Sequence, residues 1–213
     1  MQDLSPTVTV DLNDPKWSFL RGHTVGDAIL FPAAGYLYLA WNIFADKHGV
    51  DLNSFPVQFS SVNFRRMTFV DASQPNTFRF NLLHESEHFE IHEGGELVVQ
   101  GKLAKLAQFP TDAFGQPDEL NSARKPSILT SSEFYKEATL RGFNFSGDFR
   151  SIQKIDAHGE LANLVKIRGS QARMMITDMR TCRAVGRRGV EAKLDHIFGW
   201  NISSGTSAYH RAK

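Results

Sequence analysis

Gly22-His23-Thr24-Val25-Gly26-Asp27-Ala28-Ile29-Leu30-Phe31-Pro32-Ala33-Ala34-Gly35-Tyr36-Leu37-Tyr38-Leu39-Ala40-Trp41 is the stretch whose reading decides the fold. A histidine precedes a proline by nine residues, and the proline opens a run of apolar and small residues interrupted only by Asn42 before Asp46. Proline suits the first helical position, because its missing N–H would have had no partner there. No further proline follows as far as Lys47. Tyr36, Leu37, Leu39, Ala40, Trp41, Ile43 and Phe44 cover almost the whole circumference of the predicted helix. A helix that is apolar nearly all round is buried by its neighbours rather than lying on a surface. The stretch therefore predicts a central helix wrapped by other elements, with His23 on the segment leading into it.

The flanking sequence supplies the wrapping. Thr7 to Leu12 alternates Val8, Val10 and Leu12 with polar residues, the period of a strand. Lys47-His48-Gly49 gives the helix cations in its last turn and a glycine just past it. Val57 to Val70, Thr77 to Leu83, Phe89 to His92 and Leu97 to Leu106 all read as strands, with Glu93-Gly94-Gly95-Glu96 as a hairpin turn. In the first of these, Val57, Phe59, Ser61 and Asn63 are expected on one face and Val62, Phe64 and Arg66 on the other. Phe78, Phe80 and Phe89 are expected in the core. The first half is thus one buried helix followed by an antiparallel meander of about four strands. A segment with Pro110, Gly115, Pro117 and Pro126 and few large aliphatics reads as a linker. The division is 1–108, a linker at 109–127, and 128–213. The second part restarts with Ser131 as a helix cap before Phe134-Tyr135, and its helix ends at Arg141-Gly142. An aromatic loop, Phe143 to Arg150, follows, then strands over Ser151 to Ile155 and Leu161 to Ile167. After about residue 168 the apolar periodicity fades.

Composition narrows the classes of function. With 213 residues, 41% hydrophobic content and a net charge of +1, the chain is ordinary for a globular protein and lacks the global basicity of a nucleic-acid binder. Seventeen phenylalanines suit strand-rich packing. Cys182 is the single cysteine, so no internal disulfide forms. No signal peptide or bilayer-length apolar run is read, and a cytoplasmic location is expected. His84, His88 and His92 recur at the spacing of a helical metal site, but the local alternation makes them polar faces of strands, and no metal is expected.

A helix wrapped by an antiparallel sheet is the hot-dog arrangement. His23 and Pro32, followed by Ala33-Ala34-Gly35-Tyr36-Leu37, together with Gly142-Phe143-Asn144-Phe145-Ser146-Gly147-Asp148-Phe149, make the match more specific. The chain resembles the dehydratase domains of animal-type fatty acid synthases and of polyketide synthases, over roughly residues 7 to 167. Asn63-Phe64 and Gly95 to Lys105 look like the fatty acid synthase version. The resemblance implies an α+β double hot dog, its second unit divergent or incomplete. The family's first motif is His-x3-Gly-x4-Pro; here Gly26 stands one place early and Asp27 occupies the glycine position. Phe145 replaces a tyrosine, and Ser146-Gly147 replaces Gly-Pro.

The implied reaction removes water from a β-hydroxyacyl thioester to give a trans-2-enoyl thioester. The substrate is then expected as a phosphopantetheine thioester on an acyl carrier protein, with no cofactor of the domain's own. Neighbouring synthase domains and a second copy of the chain are the other implied partners, with neither nucleic acid nor membrane. His23 is the implied general base, since a neutral imidazole is available near pH 7. Asp178, in Asp178-Met179-Arg180-Thr181-Cys182, is the candidate general acid. Gly26, Asp27, Pro32, Phe145 and Gly147 are the candidate substrate-binding residues; in the family the backbone N–H at the position of Asp27 holds the thioester carbonyl. The start of the helix at Pro32-Ala33 turns N–H groups and partial positive charge toward developing negative charge. The alternative implied by Asp27 at the glycine position is a non-catalytic acyl-binding or structural module.

Overall fold

A computed structural model describes residues 5–83, 87–107, 128–156 and 162–164. Strand β1 (Thr7–Val10) is followed by a 3-10 turn over Ser18–Gly22, then β2 (His23–Val25) and β3 (Ala28–Leu30). Helix α1 (Ala33–Lys47) comes next, and then β4 (Val57–Phe64), β5 (Phe69–Val70), β6 (Asn76–Leu83), β7 (His88–Glu93) and β8 (Glu96–Lys105). The second part supplies β9 (Ile128–Thr130), α2 (Ser131–Leu140), β10 (Phe143–Phe145), β11 (Ile152–Asp156) and β12 (Ala162–Leu164). Among the described residues no helix is long and apolar enough to cross a membrane. The linker at 109–127, the continuation after 168 and Asp178 lie outside the described residues.

The largest sheet has the order β1-β6-β7-β8-β4, with every pairing antiparallel. Its inner face and α1 close one core. Val10, Phe78, Phe80, Phe89, Ile91 and Leu103 from the strands pack with Tyr36, Leu37, Leu39 and Ala40 of the helix, all essentially shut off from water. Each of the valine, leucine, isoleucine and phenylalanine side chains contributes about 1.5–3 kcal/mol through burial. This is the wrapped helix expected from the opening stretch, and the α+β class follows from it. Only β6, β7 and β8 form the expected meander; β4 crosses to the far edge beside β8.

Four details differ from the sequence reading, each for a local reason. Pro32 is not the first helical residue but the cap before it, with an extended ψ of 143°. The alternation in β4 fails at Ser61, whose φ of 52° marks a bulge where the pairing with β8 slips between Ser60 and Asn63. One extra residue returns Val62 to the inner face with Val57 and Phe59. A second slip, between Ile91 and His92 in the β7–β8 pair, buries both Val98 and Val99 where alternation predicts one. The cap of α2 is Thr130, not Ser131: its hydroxyl receives the Glu133 N–H while the Glu133 carboxylate accepts from the Thr130 N–H, a complete capping box. Glycines 94 and 95 both have positive φ, as the two-residue hairpin between β7 and β8 requires.

His88 and His92 lie on β7, and His84 lies outside the described residues. Among the described residues no three His, Cys, Asp or Glu side chains are grouped to hold a metal ion.

Candidate active site

A second sheet, β10-β2-β3-β5, joins the two parts of the chain. The segment Phe143 to Phe145, expected as loop, is the strand β10, and it pairs antiparallel with β2 so that Phe145 lies opposite His23. With only three residues, Phe143-Asn144-Phe145 is too short for its alternation to be read as a strand. The seam continues past the strands: the Ser146 N–H donates to the Gly22 carbonyl at 2.9 Å. The main chains are so close there that a Cβ on Gly22 would lie 2.4 Å from the Ser146 oxygen. Glycine is the residue this approach allows.

His23 opens β2 and is half-buried. Its Nδ1 lies 2.7 Å from the Leu30 carbonyl across the β2–β3 hairpin. A carbonyl only accepts, so Nδ1 carries the proton in this contact and Nε2 keeps its lone pair. The ring packs on Phe145, with centroids 5.3 Å apart, and on Phe149 at 4.8 Å. Burial pushes the imidazole below its ordinary pKa, while the bond to Leu30 raises it by a smaller amount. The result is a neutral ring of fixed tautomer with one basic nitrogen. Such a group removes a proton from carbon when a substrate brings one within reach.

Gly26 and Asp27 form the two-residue turn between β2 and β3, and both are exposed. Gly26 has a φ of 60° and Asp27 does not enter the left-handed region, which is the pattern of a type II′ turn with glycine first. The one-place shift of the glycine relative to the family motif thus has a conformational reason: the turn needs it at Gly26, leaving Asp27 four residues after His23. Pro32 is buried at the start of α1, two residues beyond the carbonyl that holds His23. Gly147, with a φ of 55°, begins the 3-10 turn Gly147–Phe149 that carries Phe149 to the histidine. The structure therefore gathers His23, Phe145 and the Gly147 turn into one place and sets Gly26 and Asp27 at the tip of the same hairpin. Asp178 lies outside the described residues, so its place beside His23 stays an expectation.

Two contributors were not among the candidate site residues, although Phe149 closes the segment that carries the resemblance. Phe149 forms a wall of the site, and Phe19 stacks behind it at 6.1 Å. Tyr135 of α2 pins the turn: its hydroxyl donates to the Phe149 carbonyl at 3.1 Å and accepts the Ile152 N–H at 3.0 Å. Both contacts join residues distant in sequence, and an aromatic on an amphipathic helix reads simply as core. Replacing Tyr135 by phenylalanine keeps the ring and strands the Ile152 N–H. The expected loss of stability is about 1–2 kcal/mol, read by denaturant unfolding with an unchanged slope.

No protein-family model matches the chain. Solved structures do. The dehydratase domain of a trans-AT polyketide synthase from Brevibacillus brevis superposes with a TM-score of 0.62 at 18% identity, covering 84% of this chain and 67% of that one. The dehydratase domain of PpsC from Mycobacterium tuberculosis, solved in complex with C12:1-CoA, gives 0.59 at 17% identity over 84% of this chain and 66% of that one. The dehydratase domain from the CurF module of curacin polyketide synthase gives 0.57 at 19% identity over 70% and 55%. The chain spans between about half and two-thirds of the length of these structures. It has the double hot-dog fold of polyketide synthase dehydratase domains.

Proposed function

We propose that the chain is a dehydratase domain that converts β-hydroxyacyl thioesters, carried by phosphopantetheine on an acyl carrier protein, into trans-2-enoyl thioesters. The observation that carries this reading is His23, held by the Leu30 carbonyl through Nδ1 so that Nε2 is its basic atom, in a chain with the dehydratase fold. In the proposed reaction Nε2 takes the proton from Cα, and the electron pair forms the double bond as the Cβ–O bond breaks. An acid, for which Asp178 is the candidate, protonates the departing hydroxyl, which leaves as water. The proton on His23 then returns to the acid through solvent, and the site is restored. Negative charge passes through the thioester oxygen, and N–H groups at the Asp27 turn and at the start of α1 are the donors proposed to receive it. The aromatic walls from Phe145 and Phe149 exclude water from the imidazole and keep it neutral. Neighbouring synthase domains and a second copy of the chain are proposed partners, with fatty acid or polyketide synthesis as the setting.

The test is incubation of the purified protein with a β-hydroxybutyryl thioester, followed by the absorbance of the conjugated enoyl thioester. Enoyl product is the expected outcome. Free acid in its place assigns a thioesterase, and unchanged thioester that stays bound assigns an acyl-binding module.

A further inference from the structure

The outer face of the β2–β10 seam carries contacts that the chemistry above does not use. Residues directly opposite one another in a sheet point to the same side, and the next pair points to the other side. His23 and Phe145 are one pair; Thr24 and Asn144 are the next, and lie on the opposite face. From that face the Asn144 Nδ2 reaches the hairpin tip and donates to the Gly26 carbonyl at 2.9 Å. Beside it, the Gly26 N–H donates to the Gly142 carbonyl at 2.7 Å. The Gly26 carbonyl and the Asp27 N–H belong to one peptide group. That group is planar and trans, so the two point in opposite directions. Holding the carbonyl from the outer face turns the Asp27 N–H toward the face that carries His23. The same peptide is the one whose rotation distinguishes a type II′ turn from a type I′ turn, and Asp tolerates the positive φ that type I′ demands of it. Asn144 therefore acts on a turn with two accessible states and favours one.

We infer that Asn144 is a positioning residue: its amide sets the Gly26–Asp27 peptide so that the Asp27 N–H meets the thioester carbonyl of the substrate. This rests on the dehydratase reading and deepens it. Asn144 touches no reacting atom and is exposed, so its replacement leaves the core intact.

The experiment compares wild type, Asn144→Ala, Asn144→Asp and Thr24→Val with the β-hydroxybutyryl thioester. In the two Asn144 variants kcat is expected to fall about ten- to hundredfold, the scale of a misplaced catalytic group, with KM changed less than threefold and the acid limb of the pH profile unmoved. Aspartate is included because above its pKa it fills the same space without a proton to donate. Thr24→Val removes the Thr24 hydroxyl bond to the Asn144 carbonyl, which weakens the seam without touching the turn peptide; its kcat is expected to stay at the wild-type value. Asn144 variants within twofold of an active wild type overturn the inference and leave the dehydratase reading standing. A Thr24→Val loss as large as that of Asn144→Ala also overturns it, since the effect is then one of seam stability. A wild type that makes no enoyl product overturns the dehydratase reading, and the role of Asn144 with it.

Discussion

His23→Ala is expected to lower the rate of enoyl formation by about 10²–10⁴-fold, the usual contribution of a positioned general base. The fold should survive, because the ring is only half-buried and its neighbours Phe145 and Phe149 can close on each other. His23→Gln is the sharper variant: its amide can still donate toward the Leu30 carbonyl, but it offers no basic nitrogen. Loss of activity in both, with circular dichroism unchanged, separates basicity from packing. The pH profile supplies an independent reading. Only the neutral imidazole can take a proton, and burial holds its pKa below 6.5. In the wild type the acid limb of kcat/KM is therefore expected with its midpoint below 6.5. Stability follows the same group with a defined sign. Above pH 6.5 both the folded and unfolded states carry a neutral ring and His23 contributes no slope. As pH falls below 6.5 the unfolded chain binds the proton first, so stability declines until the folded-state pKa is passed. His23→Ala should remove that part of the decline. Unchanged enoyl formation in His23→Ala ends the assignment of His23 as the base.

The parts of this site that were legible in the sequence are those written in local patterns. An all-round apolar helix can only be a core element, and Phe78, Phe80, Phe89 and Ile91 alternate as a half-buried strand must. His23 by itself reads as a structural histidine ahead of a helix; it became a candidate only through the resemblance carried by Pro32 and Gly35-Tyr36-Leu37. What was not legible depends on contacts between distant segments. β10 has only three residues, too few for their alternation to be read as a strand, and it exists because β2 offers it an edge. The bulge at Ser61 arises from pairing with β8, where Gly101 leaves room for Val62: a Cβ there would sit 3.1 Å from the Val62 Cα. The spacing His23-x2-Gly26-Asp27 looked like a departure from the family motif. In the folded chain it is a change of turn chemistry that keeps an N–H four residues after the histidine. Tyr135 and Asn144 act through hydrogen bonds to backbone atoms, which no spacing rule records.

Gly22→Ala is expected to destabilise the protein by about 3 kcal/mol or more, the upper range for forcing a methyl group into filled space. The reason is geometric. The added Cβ would lie 2.4 Å from the Ser146 carbonyl oxygen, 3.1 Å from its carbon and 3.3 Å from Cδ2 of Phe149. Two of these are backbone atoms, so no side-chain rotation relieves the overlap. Gly22 lies outside the left-handed region, so the demand is for space and not for an unusual φ. Relief requires Ser146 to move, which breaks the 2.9 Å bond from its N–H to the Gly22 carbonyl and adds about 1 kcal/mol. For a chain of this length each kcal/mol lowers the melting temperature by roughly 2–4 °C. The 3-10 turn that begins at Gly147 moves with Ser146, and with it the Phe149 ring that covers His23. Stability and kcat/KM should therefore fall together, and the acid limb should shift toward higher pH as water reaches the imidazole. Ser146→Ala is the control. It leaves every backbone atom in place, so its melting temperature and activity should match the wild type. A Gly22→Ala protein that melts within 1 °C of wild type would show that the two main chains are not in contact at this seam, and the placement of β10 against β2 would fall with it.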